Sequence, residues 1–276
     1  MEKKIEALME LIEIVERLRA PGGCPWDQQQ TLNDMGRYLM EEVSEVVDAI
    51  DTSEGSPSAA VCEELGDSLM NIFLAARIAE ESGGFSLSEV ARQISEKLIR
   101  RHPHVFGDVE VSGVDEVLTN WEAIKATESK GSADGVDSKR SRLDGVPRSL
   151  PTLQRAFELG RKAAKAGFDW PDAHGAFEKV NEELDELGEL LANRPNGTTE
   201  PTGKARLEDE AGDLLFAAVS LCRKLDIRPD EALRRTLRKF DRRFRAIEQR
   251  FSDLEQRSLE ELESAWQSAK LDEAAD

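Results

Sequence analysis

An internal duplication is the sequence feature that most constrains the fold of this 276-residue chain. Trp26 recurs as Trp170 after 144 residues. Other matched residues keep offsets of 141 to 146 residues: Glu42 and Glu183, Glu45 and Glu186, Glu64 and Glu210, Asp67 and Asp213, Lys97 and Lys239, Arg101 and Arg243, Trp121 and Trp266. The offset changes between the predicted helices and holds within them, which indicates two copies of one structural unit.

Apolar residues recur at intervals of three and four, the pattern of amphipathic helices. Between residues 31 and 51 this stripe consists of Met35, Leu39, Val43, Val46, Val47 and Ile50, and we expect it to face the core. We expect the same inward orientation of Leu65 and Ile72 in the next helix, and of Leu184 and Leu191 in the helix over 175–192. Each half contains about four such helices, separated by Pro and Gly. We predict an all-α protein with two tandem four-helix-bundle-like domains, residues 1–127 and 148–276. The segment 128–147, rich in Ser, Gly, Asp and Lys, is the predicted linker.

The net charge and the cysteine content indicate which partners and which cellular compartment to expect. A net charge of -19 disfavours binding to a nucleic acid polymer or to an anionic membrane, because both repel an acidic surface. The three cysteines form no CxxC pattern, which suits a reducing compartment. No apolar stretch approaches the length of a membrane span. We therefore expect a cytoplasmic protein.

Each half carries a Glu-Glu-x-x-Glu motif followed about 20 residues later by Glu-x-x-Asp. Residues three apart share a helix face, so antiparallel packing of the two helices would bring four carboxylates together. Their mutual repulsion favours a hard divalent cation, Mg²⁺ or Mn²⁺, as the counter-charge. The predicted metal ligands are Glu42, Glu45, Glu64 and Asp67 in the first half, and Glu183, Glu186, Glu210 and Asp213 in the second.

A solvated acidic helix face is the alternative reading of these motifs, since such runs are common. The paired spacing, the position beside the apolar stripe and the duplication favour the metal site. The corresponding alternative function is a non-catalytic helical scaffold that dimerises or binds a partner protein. A scaffold of that kind predicts no Mg²⁺-dependent change in melting temperature.

Basic residues form a second duplicated cluster: Lys97, Arg100 and Arg101, matched by Lys239, Arg242 and Arg243. In an acidic chain this pattern suits a polyphosphate held between a metal ion and guanidinium groups. The alternative is an interaction with a helix C-terminus, which explains the second, mid-helix cluster less well. Trp121 and Trp266 could stack on a base or close the end of a bundle. The sequence has no GxxxxGK[ST] or GxGxxG motif and no Glu-x-x-His.

Several short segments occur in order with these motifs: GCPWD (23–27), RRHPHVF (100–106), VPRSLPTL (146–153), GFDW (167–170) and KFDRRFR (239–245). Together they resemble the MazG-like all-α nucleoside triphosphate pyrophosphohydrolases over nearly the full chain. The resemblance implies Mg²⁺-dependent hydrolysis of nucleoside triphosphates to monophosphates and pyrophosphate, with broad base specificity. It also implies a homodimer of helical bundles that removes aberrant nucleotides.

The resemblance assigns roles to residues that match the family motifs. The eight acidic residues named above would bind metal, and Glu41 and Glu182 would lie beside the nucleotide or orient a water. The phosphate- and base-contacting residues would be Lys97, Arg101 and Trp121 in the first half, and Arg206, Lys239, Arg243 and Trp266 in the second, with Arg100 and Arg242 completing the basic clusters. Arg206 stands where the family often has Lys. Both acidic sets are complete, so the sequence favours neither half as the catalytic one.

Overall fold

The computed structural model describes residues 2–131, 141–192 and 201–273. Within these ranges the chain forms helices joined by turns and contains no strand, which confirms the all-α fold. The chain divides into two compact units, residues 1–136 and 137–276. The finer boundaries at 127 and 148 stay a prediction. None of the helices in the described ranges is long and apolar enough to cross a membrane.

The first unit is organised around a long pair of helices. Its elements are α1 (Glu2–Arg19), α2 (Pro25–Gln29), α3 (Leu32–Thr52), α4 (Ala59–Glu81), α5 (Leu87–Arg101), α6 (Pro103–Phe106) and α7 (Val114–Gly131). Helices α3 and α4 pack along each other most extensively. Helices α1 and α5 contact α4, and α7 packs on α5. The acidic motifs of the first half therefore lie on the two helices that share the largest contact.

The second unit repeats this packing. Its elements are α8 (Thr152–Lys165), α9 (Ala173–Ala192), α10 (Pro201–Lys224), α11 (Pro229–Arg250) and α12 (Leu259–Asp272), with a 3₁₀ turn (Leu254–Gln256) before α12. Helices α9 and α10 form the main pair, α8 contacts α10, and α12 packs on α11. The order of contacts matches that of the first unit, as expected for a duplicated chain.

Capping residues fix the positions of the helix starts. Thr31 accepts a hydrogen bond from the Asp34 backbone N–H, and the Asp34 carboxylate accepts one from the Thr31 backbone N–H at 2.9 Å. Such capping residues are typically worth about 1 kcal/mol. Ser86 with Glu89, and Ser258 with Glu261, form the same arrangement at α5 and α12.

The end of α7 differs from the predicted linker. The helix continues to Gly131, so residues 128–131 are helical although their composition predicted an irregular segment. Glu128 provides a physical reason, because its carboxylate binds Arg100 and Arg101 on α5. A tertiary contact thus extends the helix beyond the point that composition indicates.

The core of each unit is small. Val15, Met35, Leu74 and Ile78 form one buried cluster in the first unit. The predicted inward orientation of the apolar stripes is only partly correct, since these stripe residues are exposed: Val43, Ile50, Leu65, Ile72, Leu184 and Leu191. Leu184, for example, retains 54% of its accessible surface. The α3–α4 and α9–α10 pairs each have a second apolar face that no described residue covers.

Candidate functional site

The packing of α3 against α4 gathers the acidic residues of the first unit. One carboxylate oxygen from each of Glu42, Glu64 and Asp67 lies within 4.8 Å of the other two. The Glu45 carboxyl lies within hydrogen-bonding reach of Glu64. All four predicted ligands of the first half therefore lie on the facing surfaces of one helix pair.

The second unit holds the same arrangement between α9 and α10. Oxygens of Glu183, Glu210 and Asp213 lie within 4.8 Å of one another. Glu186 is within hydrogen-bonding reach of Glu210. The two acidic clusters thus use the same residue spacing on equivalent helices.

The electrostatics of both clusters show negative charge in excess. Partial burial raises the pKa of Glu42, and the charges of Asp67 and Glu45 raise it further. Burial and neighbouring carboxylates likewise raise the pKa of Glu64 and Glu186. A divalent cation would relieve this repulsion, and closely spaced carboxylate oxygens are the ligands that Mg²⁺ and Mn²⁺ prefer. The residues present therefore fit a hard divalent ion.

The second acidic cluster includes a cationic side chain, Lys179, that the sequence motifs did not predict. Lys179 donates from Nζ to Glu182 and to Glu183 at 2.7 Å each, and Glu183 is only 5% exposed. The two carboxylates raise the pKa of Lys179. In the sequence Lys179 precedes Glu182 by three residues and Glu183 by four, and this helical spacing could have predicted both contacts.

The first cluster uses a neutral partner instead. The Asn71 side chain, 4% exposed, hydrogen-bonds to Glu42 and opposes the rise in its pKa. Tyr38 occupies the position that corresponds to Lys179, and its ring lies 5.8 Å from that of Trp26. The two copies therefore stabilise equivalent glutamates by different means.

The predicted basic residues lie on α5 and α11, where the arginines are bound by an acidic residue. Arg100 and Arg101 donate to opposite oxygens of Glu128, at 2.7 and 2.5 Å. The Arg101 guanidinium also lies over the Trp121 ring, 4.9 Å from its centre. Arg242 and Arg243 are bound in the same way by Glu273, at 2.6 Å each, with Arg243 5.6 Å from the centre of Trp266.

The lysines of these clusters border shallow grooves. Lys97 borders a groove of about 290 Å³ that is otherwise lined by Phe85, Val90, Gln93 and Ile94. Lys239 borders one of about 440 Å³ lined by Ala232, Arg235, Arg238 and Arg242. The groove in the second unit is therefore more basic than the one in the first.

The remaining predicted residues lie on exposed surface near the acidic clusters. Glu41 is exposed on α3, and Arg206 is exposed on α10 one turn before Glu210. A cleft of about 550 Å³ adjoins Glu45 and Glu64 between the end of α3 and the start of α4. Pockets of 300 to 1,000 Å³ are typical for small-molecule ligands. The corresponding connection in the second unit includes residues outside the described ranges.

Glu128 and Glu273 contact the predicted basic residues but belong to none of the sequence motifs. Each lies seven residues after the matched tryptophan, Trp121 or Trp266, and therefore almost two helical turns along the same face. The repeated Trp-x₆-Glu spacing was the signal in the sequence that could have identified them.

Comparison with known proteins agrees with the duplication. The MazG nucleotide pyrophosphohydrolase domain matches residues 30–106 and 174–247. Over 265 residues the chain is 41% identical to the nucleoside triphosphate pyrophosphohydrolase/pyrophosphatase MazG of Thermotoga maritima, covering 95% of this chain and 94% of the relative. It is 39% identical over 268 residues to the nucleoside triphosphate pyrophosphohydrolase of Escherichia coli K12, covering 95% and 97%. Each matched segment contains one acidic cluster, and the chain belongs to the MazG family.

Proposed function

We propose that the chain is a nucleoside triphosphate pyrophosphohydrolase. It uses water to cleave a nucleoside or deoxynucleoside triphosphate into the monophosphate and pyrophosphate, with broad base specificity, in housekeeping of the nucleotide pool. The observation that carries this proposal is the acidic cluster found once in each matched MazG domain. The two relatives above are named for the same reaction, which supports the proposal.

The acidic clusters would hold Mg²⁺ or Mn²⁺. The proposed ligands are Glu42, Glu45, Glu64 and Asp67 in the first unit, and Glu183, Glu186, Glu210 and Asp213 in the second. When bound, such an ion supplies counter-charge and polarises the phosphate oxygens. The crowding of carboxylates supports this assignment, because a cation lowers the energy of the ionised cluster.

Glu41 and Glu182 are the proposed catalytic residues. Each directly precedes a proposed ligand in the sequence and has an exposed side chain. That position allows the carboxylate to orient the attacking water and accept its proton while the water attacks a phosphorus of the triphosphate. In the second unit Lys179 holds Glu182 beside the cluster, with 2.7 Å between Nζ and Oε1.

The basic residues are proposed to bind the phosphate chain. Cations stabilise the charge that develops on departing pyrophosphate. The proposed contacts are Lys97, Arg100 and Arg101 in the first unit and Arg206, Lys239, Arg242 and Arg243 in the second, with Trp121 and Trp266 near the base. The acidic surface requires such local positive charge for an anionic substrate to bind.

A homodimer is the proposed assembly, formed through the uncovered faces of the two helix pairs. On α9 the exposed residues Phe177, Leu184 and Leu191 are spaced by seven, as in a coiled-coil seam. Val43 and Ile50 on α3 show the same spacing. The proposed location is the cytoplasm, and we propose neither a nucleic acid polymer nor a membrane as a partner.

Product analysis tests the proposed reaction. Wild-type protein incubated with ATP or dATP and Mg²⁺ should release pyrophosphate and the monophosphate. Glu45→Ala and Glu186→Ala should identify the active unit, and the double variant should lose about 100-fold or more of the activity, since weakening a metal site commonly costs that much. Release of orthophosphate and the diphosphate instead would overturn the assignment.

Two matched controls separate the loss of a ligand from a general loss of charge. Glu63→Ala and Asp185→Ala remove exposed carboxylates from the same helices outside the clusters, and they should retain activity. Wild-type melting temperature should rise with Mg²⁺ and nucleotide. A scaffold protein would show neither this rise nor any turnover.

A further inference from the structure

The structure contains a second duplicated side-chain arrangement, formed by an Arg-Arg pair, a Trp and a Glu. In the first unit Arg100 donates to Oε1 of Glu128, while Arg101 donates from Nε and Nη2 to Oε2. In the second unit Arg242 and Arg243 make the matching bonds to Glu273. We refer to each arrangement as an Arg–Glu clamp.

The two arginines of each clamp differ in burial. The Arg101 side chain is 16% exposed and lies between the Glu128 carboxylate and the Trp121 ring, whereas Arg100 is 53% exposed. Arg243 and Arg242 show the same contrast in the second unit, at 17% and 62%. The inner arginine, Arg101 or Arg243, is therefore held by both the Glu and the Trp. Among the described residues, the outer arginine, Arg100 or Arg242, is held by the Glu alone.

The inner guanidinium keeps a donor for a further anion. Glu128 occupies Nε and Nη2 of Arg101, and Glu273 occupies the same atoms of Arg243. Within the described residues, the hydrogen bonds of Arg101 and Arg243 use Nε and Nη2, and none uses Nη1. One carboxylate between two guanidinium groups also leaves a net positive charge, which Lys97 or Lys239 increases.

We propose that Glu128 and Glu273 are positioning residues for the triphosphate, each fixing its inner arginine against the tryptophan so that Nη1 donates to a phosphate oxygen. This inference rests on the proposed function. A long arginine side chain has many rotamers in solution, and restraining it on binding costs entropy. Because the clamp restrains the arginine in the folded protein, less of that entropy is lost on binding.

An isosteric substitution tests the proposal. Glu128→Gln, Glu273→Gln and the double variant keep the side-chain shape but replace the charge-assisted bonds by weaker ones. In the active unit we expect KM for ATP to rise about 10-fold with kcat changed less than about twofold, as for residues that orient a ligand-binding group. The Kd of a non-hydrolysable α,β-imido triphosphate, measured by calorimetry, should rise by the same factor. Glu260→Gln, an exposed carboxylate on α12, is the matched control.

A double-mutant cycle separates positioning from a structural link between helices. Because Lys cannot form the guanidinium fork, Glu273→Gln should have little further effect on KM in an Arg243→Lys background, and Glu128→Gln little in Arg101→Lys. Effects that add fully, or a fall in melting temperature with unchanged Kd, would overturn the proposal. Tighter binding of the analogue by the Gln variants would also overturn the proposal, because that result would mean that the carboxylate competes with the phosphate for the arginine.

The binding measurement also keeps this inference distinct from the proposed reaction. If the wild-type protein binds the analogue but does not hydrolyse ATP, and the Gln variants bind the analogue more weakly, the positioning role stands and the reaction is wrong. Failure of the wild-type protein to bind the analogue would overturn the positioning role.

Discussion

At the scale of single residues, the crowding of carboxylates in the acidic clusters favours a bound cation. Burial raises the pKa of Glu186, and Glu183 and Glu210 raise it further, while Lys179 opposes the rise. The sequence predicted the crowding through residue spacing alone. It did not predict Lys179 or Asn71 as partners, because those contacts depend on side-chain direction and on packing against the neighbouring helix.

The raised pKa of Glu186 predicts how metal-free stability depends on pH. A carboxyl whose pKa is higher in the folded state contributes stability below its unfolded pKa, about 4.3, and that contribution is lost as pH rises through the folded value. In EDTA, Glu186→Gln should therefore melt at a higher temperature than wild type at pH 7.5 and at a similar temperature at pH 4. Thermal melts over this range provide the measurement.

The exposed neighbour Asp185 supplies the control for that experiment, since Asp185→Asn lies on the same helix outside the cluster. Its melting temperature should follow that of wild type at both pH values. With saturating Mg²⁺ the order should reverse, because Glu186→Gln removes a proposed ligand. Equal melting temperatures of wild type and Glu186→Gln at pH 7.5 in EDTA would contradict the crowding argument.

At the scale of elements, the local sequence predicts the helices but not which of their apolar faces stay exposed. The helix predicted over residues 31–51 is observed as Leu32–Thr52, and Thr31 with Asp34 accounts for its start. The apolar stripe was expected to be buried within one bundle. Val43 and Leu184 are instead exposed, because periodicity identifies an apolar face without identifying what covers it.

The exposed faces predict a change in assembly on substitution. Val43→Glu and Leu184→Glu place a charge in the proposed dimer seam, which should weaken dimerisation about 30-fold or more, the size of a 2 kcal/mol interface contribution. Sedimentation at graded protein concentration measures the shift from dimer to monomer. Leu259→Glu, at a residue 79% exposed outside the seam, is the control and should leave the assembly unchanged. A wild-type monomer at high concentration would contradict the proposed dimer.

At the scale of the molecule, the two units share a fold but differ in chemistry. The cluster of the second unit contains Lys179, and the groove beside Lys239 on α11 has additional arginines at positions 235 and 238. The cluster of the first unit uses Asn71, and the groove beside Lys97 on α5 is lined mainly by apolar residues. Duplication therefore kept the acidic geometry while the surroundings diverged.

Replacement of the Lys179 ammonium group should reveal this difference between the two units. Lys179→Met leaves the buried Glu183 without its ion-pair partner and should lower the free energy of unfolding by about 1–2 kcal/mol, a range that allows for the 34% exposure of Lys179. Mg²⁺ should restore most of this loss, since it supplies the missing charge. Urea unfolding with and without Mg²⁺ measures both effects.

A surface ion pair gives the matched comparison. Lys204 and Glu208 are 71% and 67% exposed and 3.5 Å apart, so Lys204→Met should change stability by about 0.5 kcal/mol or less. If Lys179→Met has an equally small effect, burial of Glu183 is not a source of electrostatic strain.

The sequence by itself determined the duplication, the helices and the acidic spacing, because these depend on residue periodicity and on the few neighbours that one helix allows. Only the tertiary structure decided which apolar faces stay uncovered and which partner each buried glutamate has. It also decided that Glu128 and Glu273 bind the arginines that were predicted to contact substrate. These contacts join residues 27 and 30 apart in the sequence that lie in, or directly after, different helices, and their geometry is set by helix packing rather than by local propensity.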